Sequence, residues 1–171
     1  TTGDQSFQGA TNLGADTTLT GGTMDFGSNV NGAFLLDING NADFGGAVGN
    51  STALTSIDVS GTTNFNGADV TTTGTQTYHG ASTLAAVTTL STTDSQVRFN
   101  GTLNGGFDLN VNAGSSGVRF EDVVGGTTPI GNLDVNGSGA SFFNADVTAA
   151  SIDLPEGLGV GTGPRTITTT G

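Results

Sequence analysis

Aromatic side chains recur at nearly equal intervals along this chain, and their spacing restricts the fold more than any other feature of the sequence. Successive members of the series are separated by 19, 18, 21, 13, 21, 21 and 22 residues. A ring about every twenty residues, without a long apolar run, is typical of a β-solenoid in which each turn places one bulky side chain above the last. The series consists of Phe7, Phe26, Phe44, Phe65, Tyr78, Phe99, Phe120 and Phe142.

Short segments of alternating apolar and polar residues accompany this aromatic series. Val97-Arg98-Phe99 contains a ring of the series, whereas Ile57-Asp58-Val59 belongs to a second set of segments between the rings. Such alternation predicts half-buried strands, and Asn-Gly pairs such as Asn100-Gly101 mark turns. No segment shows helical periodicity. We therefore expect an all-β chain, a parallel β-solenoid of about seven to nine coils stacked at about 4.8 Å per coil.

The sequence also repeats on a longer scale, with a period of about 75 residues. Residues 1–10 are echoed by residues 72–81, and the shift between later echoes drifts up to 77 residues. The residues at 169–171 match those at 1–3, which suggests that a further copy begins there. We therefore expect one solenoid segment at 1–171. Its predicted parts are a superrepeat at 1–70, a superrepeat at 71–147, and an added coil at 148–171 that leads into a further repeat.

Two features of this interpretation have alternatives. A pair of immunoglobulin-like β-sandwich repeats competes with the solenoid, because about 75 residues can form one small β domain. Against the sandwich, the pattern recurs inside each superrepeat, and the chain contains no Cys or Trp. The 13-residue step from Phe65 to Tyr78 does not fit a full coil. Either that turn is truncated or Tyr78 occupies a different corner of the coil.

The charge balance argues against two classes of partner. Fifteen acidic residues against three basic ones give a net charge of −12. Nucleic-acid phosphates and anionic membrane surfaces both attract clustered basic residues, so we expect no nucleic acid partner. No apolar stretch approaches the length of a membrane-spanning helix, so we also expect no membrane insertion. The absence of cysteine excludes disulfides and cysteine metal ligands.

Oxygen-bearing side chains alternate in one segment and suggest a calcium site. The candidate ligands are Asp37, Asn39, Asn41 and Asp43. Hard cations bind clustered oxygens, but Gly40 comes early for an EF-hand loop, and the twelfth position is Val48. The matching segment of the second superrepeat, residues 110–115, lacks both carboxylates. A polar strand face with an Asn-Gly turn is therefore the competing interpretation.

Two columns of outward-facing side chains are predicted from the alternation. One column is acidic and lies next to the second strand of each coil. Its members are Asp37, Asp58, Asn110, Asp134 and Asp153. Such a stripe either gathers cations or a basic partner, or acts as a solvated edge that prevents aggregation. The other column lies beside the rings and changes from acidic to basic, so we expect a surface ion pair between an Arg and Asp43 or Asp122. Its members are Asp25, Asp43, Asn64, Thr77, Arg98 and Arg119.

Catalytic arrangements are lacking in the sequence. The chain has no Lys, and its one histidine, His79, stands in a turn beside Gly80. No Ser-His-Asp or phosphate-binding motif is present. We therefore expect no enzyme and no cofactor, apart from calcium at the segment described above.

Two runs of residues resemble a known family. The sequence TTGDQSFQGATNLGADTTLTGG at 1–22 and the run at 35–74, which begins LLDINGNADF, resemble the repeat arrays of filamentous-haemagglutinin-like bacterial exoproteins. These are large adhesins of two-partner secretion systems and autotransporter passengers. The resemblance covers nearly all of the chain. It implies a right-handed parallel β-helix that is exported and displayed as a stalk or fibre, with roles in adhesion, aggregation and biofilm matrix.

These observations together predict a structural repeat segment of a secreted bacterial surface adhesin or extracellular fibre, which forms a stiff rod. Expected partners are neighbouring repeats of the parent chain, further copies end to end, and cell-surface glycans or matrix. Two alternatives remain open: a carbohydrate-binding or carbohydrate-cleaving β-solenoid, and a calcium-stiffened linker. Glycan binding and a calcium-dependent melting temperature distinguish these alternatives from the rod.

Overall fold

A computed structural model of the chain describes residues 2–67 and 69–171, so that Thr1 and Ala68 lie outside the described residues. In this part of the chain every strand pairing is parallel and no helix occurs. The strands stack as a β-solenoid of about 8 turns, as predicted. The immunoglobulin-like alternative is wrong, because sandwiches of that class pair their strands antiparallel.

Twenty strands are formed by the described residues. They are β1 (Gln5–Phe7), β2 (Thr11–Asn12), β3 (Thr17–Phe26), β4 (Val30–Asn31), β5 (Leu35–Phe44), β6 (Ser56–Val59), β7 (Thr63–Phe65), β8 (Val70–Thr71), β9 (Gln76–Tyr78), β10 (Ser82–Leu84), β11 (Thr88–Ser91), β12 (Val97–Phe99), β13 (Leu103–Asn104), β14 (Leu109–Gly114), β15 (Val118–Phe120), β16 (Ile130–Gly137), β17 (Ser141–Phe143), β18 (Val147–Asp153), β19 (Leu158–Val160) and β20 (Ile167–Thr169).

Each turn crosses three faces in the order A, B, C. Face A consists of the first halves of β3 and β5, then β6, β9, β12, β15, β17 and β19. Face B consists of β1, the second halves of β3 and β5, then β7, β10, β13, the bridge residue Val124, the start of β18 and β20. Face C consists of β2, β4, the bridge residue Val48, β8, β11, β14 and the later parts of β16 and β18. Face A and the strands of face B from β1 to β13 share one twelve-stranded sheet, because β3 and β5 bend across the corner between them.

The core is the column of side chains that point inward from these faces. In β6, for example, Ile57 and Val59 are buried while Ser56 and Asp58 are partly exposed. The alternation arises because successive side chains of a strand point to opposite sides of the sheet. Burying one large apolar side chain stabilises a fold by about 1.5–3 kcal/mol. Repetition of the inward residue in successive turns therefore produces a continuous apolar interior.

The aromatic series forms two columns on different faces. Phe7, Phe26, Phe44 and Phe65 stack on face B, whereas Tyr78, Phe99, Phe120 and Phe143 stack on face A. Tyr78 stands in register with Val59 and not with Phe65. The two columns meet where Tyr78 packs edge-on against Phe65, with centroids 5.2 Å apart and ring planes at 78°. Of the two explanations for the 13-residue step, the second is therefore confirmed: Tyr78 occupies a different corner of the coil, and the turn is not truncated.

The last ring of the series is Phe143 and not Phe142, which corrects the prediction. Phe143 is fully buried and stacks on Phe120 with centroids 5.0 Å apart. Phe142 is 39% exposed and lies opposite the outward-facing Arg119. Either of two adjacent aromatic residues satisfies a step of about twenty residues, so the spacing alone did not distinguish them.

Equivalent segments of the two superrepeats lie on different faces of the solenoid. Residues 5–7 and 76–78 correspond in sequence, but they belong to face B and face A. Three full turns lead from 5–7 to 63–65, and two further faces lead to 76–78. The superrepeat thus spans three and two-thirds turns. The 13-residue step is explained in the same way, because it is about two-thirds of a turn of twenty residues.

Other equivalent segments change face in the same sense. Ile57-Asp58-Val59 lies on face A and Leu133-Asp134-Val135 on face C, while Val30-Asn31 lies on face C and Leu103-Asn104 on face B. The hydrogen-bonded ladder continues across both predicted superrepeat boundaries, since Val70 pairs with Leu90 and Val147 pairs with Ile167. Within the described residues, the solenoid is one uninterrupted stack.

Backbone conformation supports the equivalence of the two superrepeats. Gly32 and Gly105 follow equivalent asparagines and have φ values of 133° and 128°. Gly49 and Gly125 open equivalent loops with φ values of 74° and 69°. Such conformations favour glycine, and a Cβ at either Gly49 or Gly125 would lie within 2.1 Å of a carbonyl oxygen of the next turn. The same turn geometry is therefore built twice, on different corners.

A buried polar cluster lies where the aromatic series changes face. Gln76 is fully buried, and its Nε2 donates to the carbonyl oxygens of Val70 and Ser91 at 3.1 and 2.9 Å. Its Oε1 accepts a hydrogen bond from the Tyr78 hydroxyl at 3.1 Å. Buried amides are stable when their donors and acceptors are paired. Gln76 thus links faces A and C inside the stack and fixes the position of Tyr78.

We predict that Phe143→Ala and Phe142→Ala differ strongly in stability. Truncation of the buried Phe143 ring should lower the free energy of unfolding by about 3–5 kcal/mol. Truncation of the exposed Phe142 ring should cost less than about 1 kcal/mol. Urea unfolding followed by circular dichroism measures both. Equal losses, or a larger loss for Phe142→Ala, would contradict the register of β17.

We also predict that the chain's single tyrosine does not ionise while the protein is folded. Burial raises the pKa of the Tyr78 phenol far above its usual value of 10.0. The buried, protonated phenol contributes fully to stability below the pKa that Tyr78 has in the unfolded chain. This contribution is lost as the pH rises from that value towards the raised pKa of the folded protein. Absorbance at 295 nm should therefore rise only together with unfolding. A titration midpoint near pH 10 in the folded protein, with an unchanged circular dichroism spectrum, would show that the ring is not buried.

Candidate functional site

The four predicted calcium ligands lie along β5, on both sides of its bend at Gly40. Asp37 belongs to face A and pairs in register with Asp58, whereas Asp43 belongs to face B and pairs with Asn64. The strand therefore carries the two carboxylates onto different faces. The remaining predicted ligands are Asn39 and Asn41.

Protein donors already engage two of the predicted ligands, Asn41 and Asp43. Asn41 accepts a hydrogen bond from the backbone N–H of Thr62 at 2.9 Å, and Asp43 accepts one from the Asn66 amide. Among the described residues, no group of three or more His, Cys, Asp or Glu side chains is arranged to hold a metal ion. Calcium binding at this segment stays a prediction of the sequence.

Asp and Asn side chains connect successive turns at the corners of the solenoid. In each case a side-chain oxygen accepts a hydrogen bond of 2.7–3.0 Å from a backbone N–H of the next turn. Some backbone N–H groups at the corners and in the strands beside them have no carbonyl partner in the ladder, and these oxygens satisfy them. The acceptor–donor pairs are Asp4–Thr23, Asp16–Leu35, Asn29–Ala47, Asn31–Ser51, Asn41–Thr62, Asp69–Thr89, Asp94–Ser115, Asn104–Thr127, Asp108–Asn132 and Asp146–Thr166.

Six of these acceptors are aspartates, so much of the acidic charge has a structural role. Several stand directly before a strand, as in Asp108-Leu109 and Asp146-Val147. An aspartate directly before a strand is thus a sequence signal for this role. The predicted single acidic column is also wrong. Asp37 and Asp58 lie on face A, whereas Asn110, Asp134 and Asp153 lie on face C.

The later turns of face A carry two arginines around one carboxylate. Arg98 and Arg119 are neighbours in register, and both donate to Oε1 of Glu121, at 2.6 and 2.5 Å. The Asn144 amide donates to the other oxygen of Glu121. The guanidinium of Arg119 also lies 5.8 Å from the centre of the exposed Phe142 ring, within the range of a cation–π contact.

This arrangement corrects the predicted ion pair, because the arginines bind Glu121 and not Asp43 or Asp122. Asp43 lies on face B, and Asp122 accepts a hydrogen bond from the backbone N–H of Val123 at 2.8 Å. Desolvation of the Glu121 carboxyl acts to raise its pKa. Hydrogen bonds from Asn144 and Arg119 and the charges of both arginines outweigh that effect, so the pKa lies below its usual value of 4.5.

A second polar group on face A surrounds the only histidine of the chain. The Asn100 amide donates to Nδ1 of His79 at 2.9 Å. In the tautomer that satisfies this contact, Nε2 carries the proton and donates to the Asp58 carboxylate at 3.2 Å. The His79 side chain is 45% exposed, which agrees with the predicted surface position in a turn.

Face B carries two neighbouring aspartates, and an open groove lies beside one of them. Asp25 and Asp43 are neighbours in register on its outer surface. An open groove of about 520 Å³ is lined by residues including Asp43, Asn64 and Thr83. Faces A and B therefore carry charged pairs of opposite sign.

Comparison with known proteins adds no functional assignment. No protein-family model matches the chain, and no match was found among curated proteins or among solved structures. None of the described residues belongs to a helix long and apolar enough to cross a membrane.

We predict that Asp108 stabilises the fold through its link to the next turn. Its Oδ1 accepts the backbone N–H of Asn132 at 2.7 Å. Asp108→Ala should therefore lower the free energy of unfolding by about 0.5–1.5 kcal/mol, while Asp108→Asn, which keeps a side-chain carbonyl, should retain most of this contribution. Asp134→Ala is the matched control, because Asp134 makes no side-chain hydrogen bond with the described residues. Equal losses for the Asp108→Ala and Asp134→Ala variants in urea unfolding would contradict the link.

Proposed function

We propose that this chain is a structural repeat segment of a secreted bacterial surface adhesin or extracellular fibre, in which it forms part of a stiff rod. One observation carries the rod part of the proposal: the superrepeat passes through an uninterrupted stack and advances by whole faces. The secreted adhesin part rests on the resemblance of residues 1–22 and 35–74 to exoprotein repeat arrays. A unit with this property can be added again without breaking either the backbone ladder or the interior, as in other solenoids.

The last described turn supports addition of further repeats. Its side chains Leu158, Val160 and Ile167 are exposed by 47%, 54% and 38%. Equivalent inward positions in the middle of the stack, such as Phe99, are fully buried. A further turn stacked on this end would cover the three side chains and pair with their strands. Neighbouring repeats of the parent chain are thus the partners we propose for this surface.

A tandem protein tests the rod. Residues 1–168 joined to a second copy of 1–171 preserve the Thr-Thr-Gly sequence at the junction. The expected result in small-angle X-ray scattering is an unchanged cross-section with about twice the length of the single copy. The matched control carries a flexible Gly/Ser linker at the junction and should show two mobile rods. Identical scattering from the two tandem proteins would contradict continuous stacking.

Location at the cell surface requires a separate experiment. An antiserum against the segment should label intact cells of the source bacterium, and added protease should remove the signal. An antigen found only after cell lysis would overturn the surface part of the proposal. It would leave the stacking result unaffected.

A further inference from the structure

Sequence-equivalent positions of the two superrepeats carry opposite charges. The residues directly before the rings are Asp25 and Asp43 on face B of the first superrepeat. The corresponding residues of the second superrepeat are Arg98 and Arg119 on face A. Within each pair, the two residues are register neighbours in successive turns. The two pairs therefore have the same backbone geometry and the same spacing, but opposite signs.

The acidic pair has no cationic partner among the described residues. Asp25 accepts hydrogen bonds from Ser6 at 3.1 Å and Gln8 at 2.8 Å, and Asp43 accepts one from Asn66. All three donors are neutral, so both negative charges remain uncompensated. The groove beside Asp43 gives this surface a concave shape.

The basic pair is only half compensated and projects from its face. Arg98 and Arg119 share the single carboxylate of Glu121, which leaves one positive charge in excess. Glu121 and Asn144 hold the arginines in place, and Phe142 extends beside them with 39% of its surface exposed. Face A thus presents a positive, projecting patch on a chain whose net charge is −12.

We propose that the rods associate side by side, with the face A patch of one molecule against the face B groove of a second copy. Two parallel rods bring both pairs into contact at once, because charges on each rod recur at about 4.8 Å along the axis. The contacting surfaces differ by three and two-thirds turns in height, so neighbouring rods are displaced by about 18 Å, one superrepeat. Such a heterologous contact does not close on itself and continues from rod to rod.

Charge complementarity favours a second copy as the occupant, but the contact is weak. Exposed ion pairs contribute little individually, and the net charge of each rod opposes association. A Debye length of about 8 Å at 0.15 M salt screens this long-range repulsion. Association should therefore occur at physiological salt and high concentration, and about 1 M salt should abolish it.

Sedimentation of charge-reversed variants tests the contact. Wild-type protein should form larger species as its concentration rises. Asp25→Arg/Asp43→Arg carries basic pairs on both faces, and Arg98→Asp/Arg119→Asp carries acidic pairs on both faces. Each variant alone should stay monomeric, because its two faces repel. An equimolar mixture should associate again, since face A of the first variant complements face B of the second as in the wild type, and face B of the first complements face A of the second with the charges exchanged.

Matched variants separate the contact from general charge and from folding. Asp134→Arg/Asp153→Arg reverses two register neighbours on face C and changes the net charge by the same amount as Asp25→Arg/Asp43→Arg. This control should still associate. Arg98→Gln/Arg119→Gln removes the positive patch without placing new carboxylates next to Glu121. It should remain folded and monomeric even if the reversed variant is unstable.

Three results would overturn the proposal: a wild-type chain that stays monomeric at every soluble concentration, association that survives reversal of either pair, or a mixture that stays monomeric although both variants are folded. Binding of an acidic polysaccharide to a monomeric wild type, lost in Arg98→Gln/Arg119→Gln, would instead identify face A as a carbohydrate surface. Side-by-side association would extend the proposed role in a fibre. It rests only on the rod-shaped stack and not on the proposed surface location. Its test in solution can fail while the surface location stands.

Discussion

The parallel hydrogen-bond ladder between successive turns is the constraint on which the rest of this structure depends. Each strand pairs with the strand one turn away, so any residue is aligned with residues about twenty positions before and after it. Inward apolar positions of successive turns therefore lie above one another, which produces the stacked rings, and an inward polar side chain such as Gln76 is kept by hydrogen bonds. Where the ladder is interrupted at corners, side chains such as Asp108 and Asn41 accept the backbone N–H groups that would otherwise lack partners.

Local pattern predicted the strands and their stacking, but it did not assign each residue to a face. Alternation in Val97-Arg98-Phe99 identifies which side chains point inward, and the structure agrees. For Phe142 and Phe143 the local pattern is ambiguous, and the register with Arg119 and Phe120 decides. The spacing from Phe65 to Tyr78 likewise gives the number of residues between the two rings. It does not show that they lie on different faces of the solenoid.

The surface was predicted less well, because its contacts join residues from different turns. Glu121 shares an outward side with Arg119, two residues earlier, and this period of two was a usable signal for the ion pair. That Arg98 joins the same carboxylate depends on the register of two turns. The predicted acidic column was wrong for a related reason. Asp58 and Asp134 are equivalent in sequence, yet the superrepeat places them on faces A and C.

The advance of three and two-thirds turns per superrepeat has a mechanical consequence. Large rings beneath one face only would make that side of the stack thicker than the others, and a long fibre built in this way would curve. Here the rings lie under face B in the first superrepeat and under face A in the second. An array that continues this rotation distributes the bulk evenly around its axis after three copies, so that the local curvatures cancel and the fibre resists bending equally in all directions.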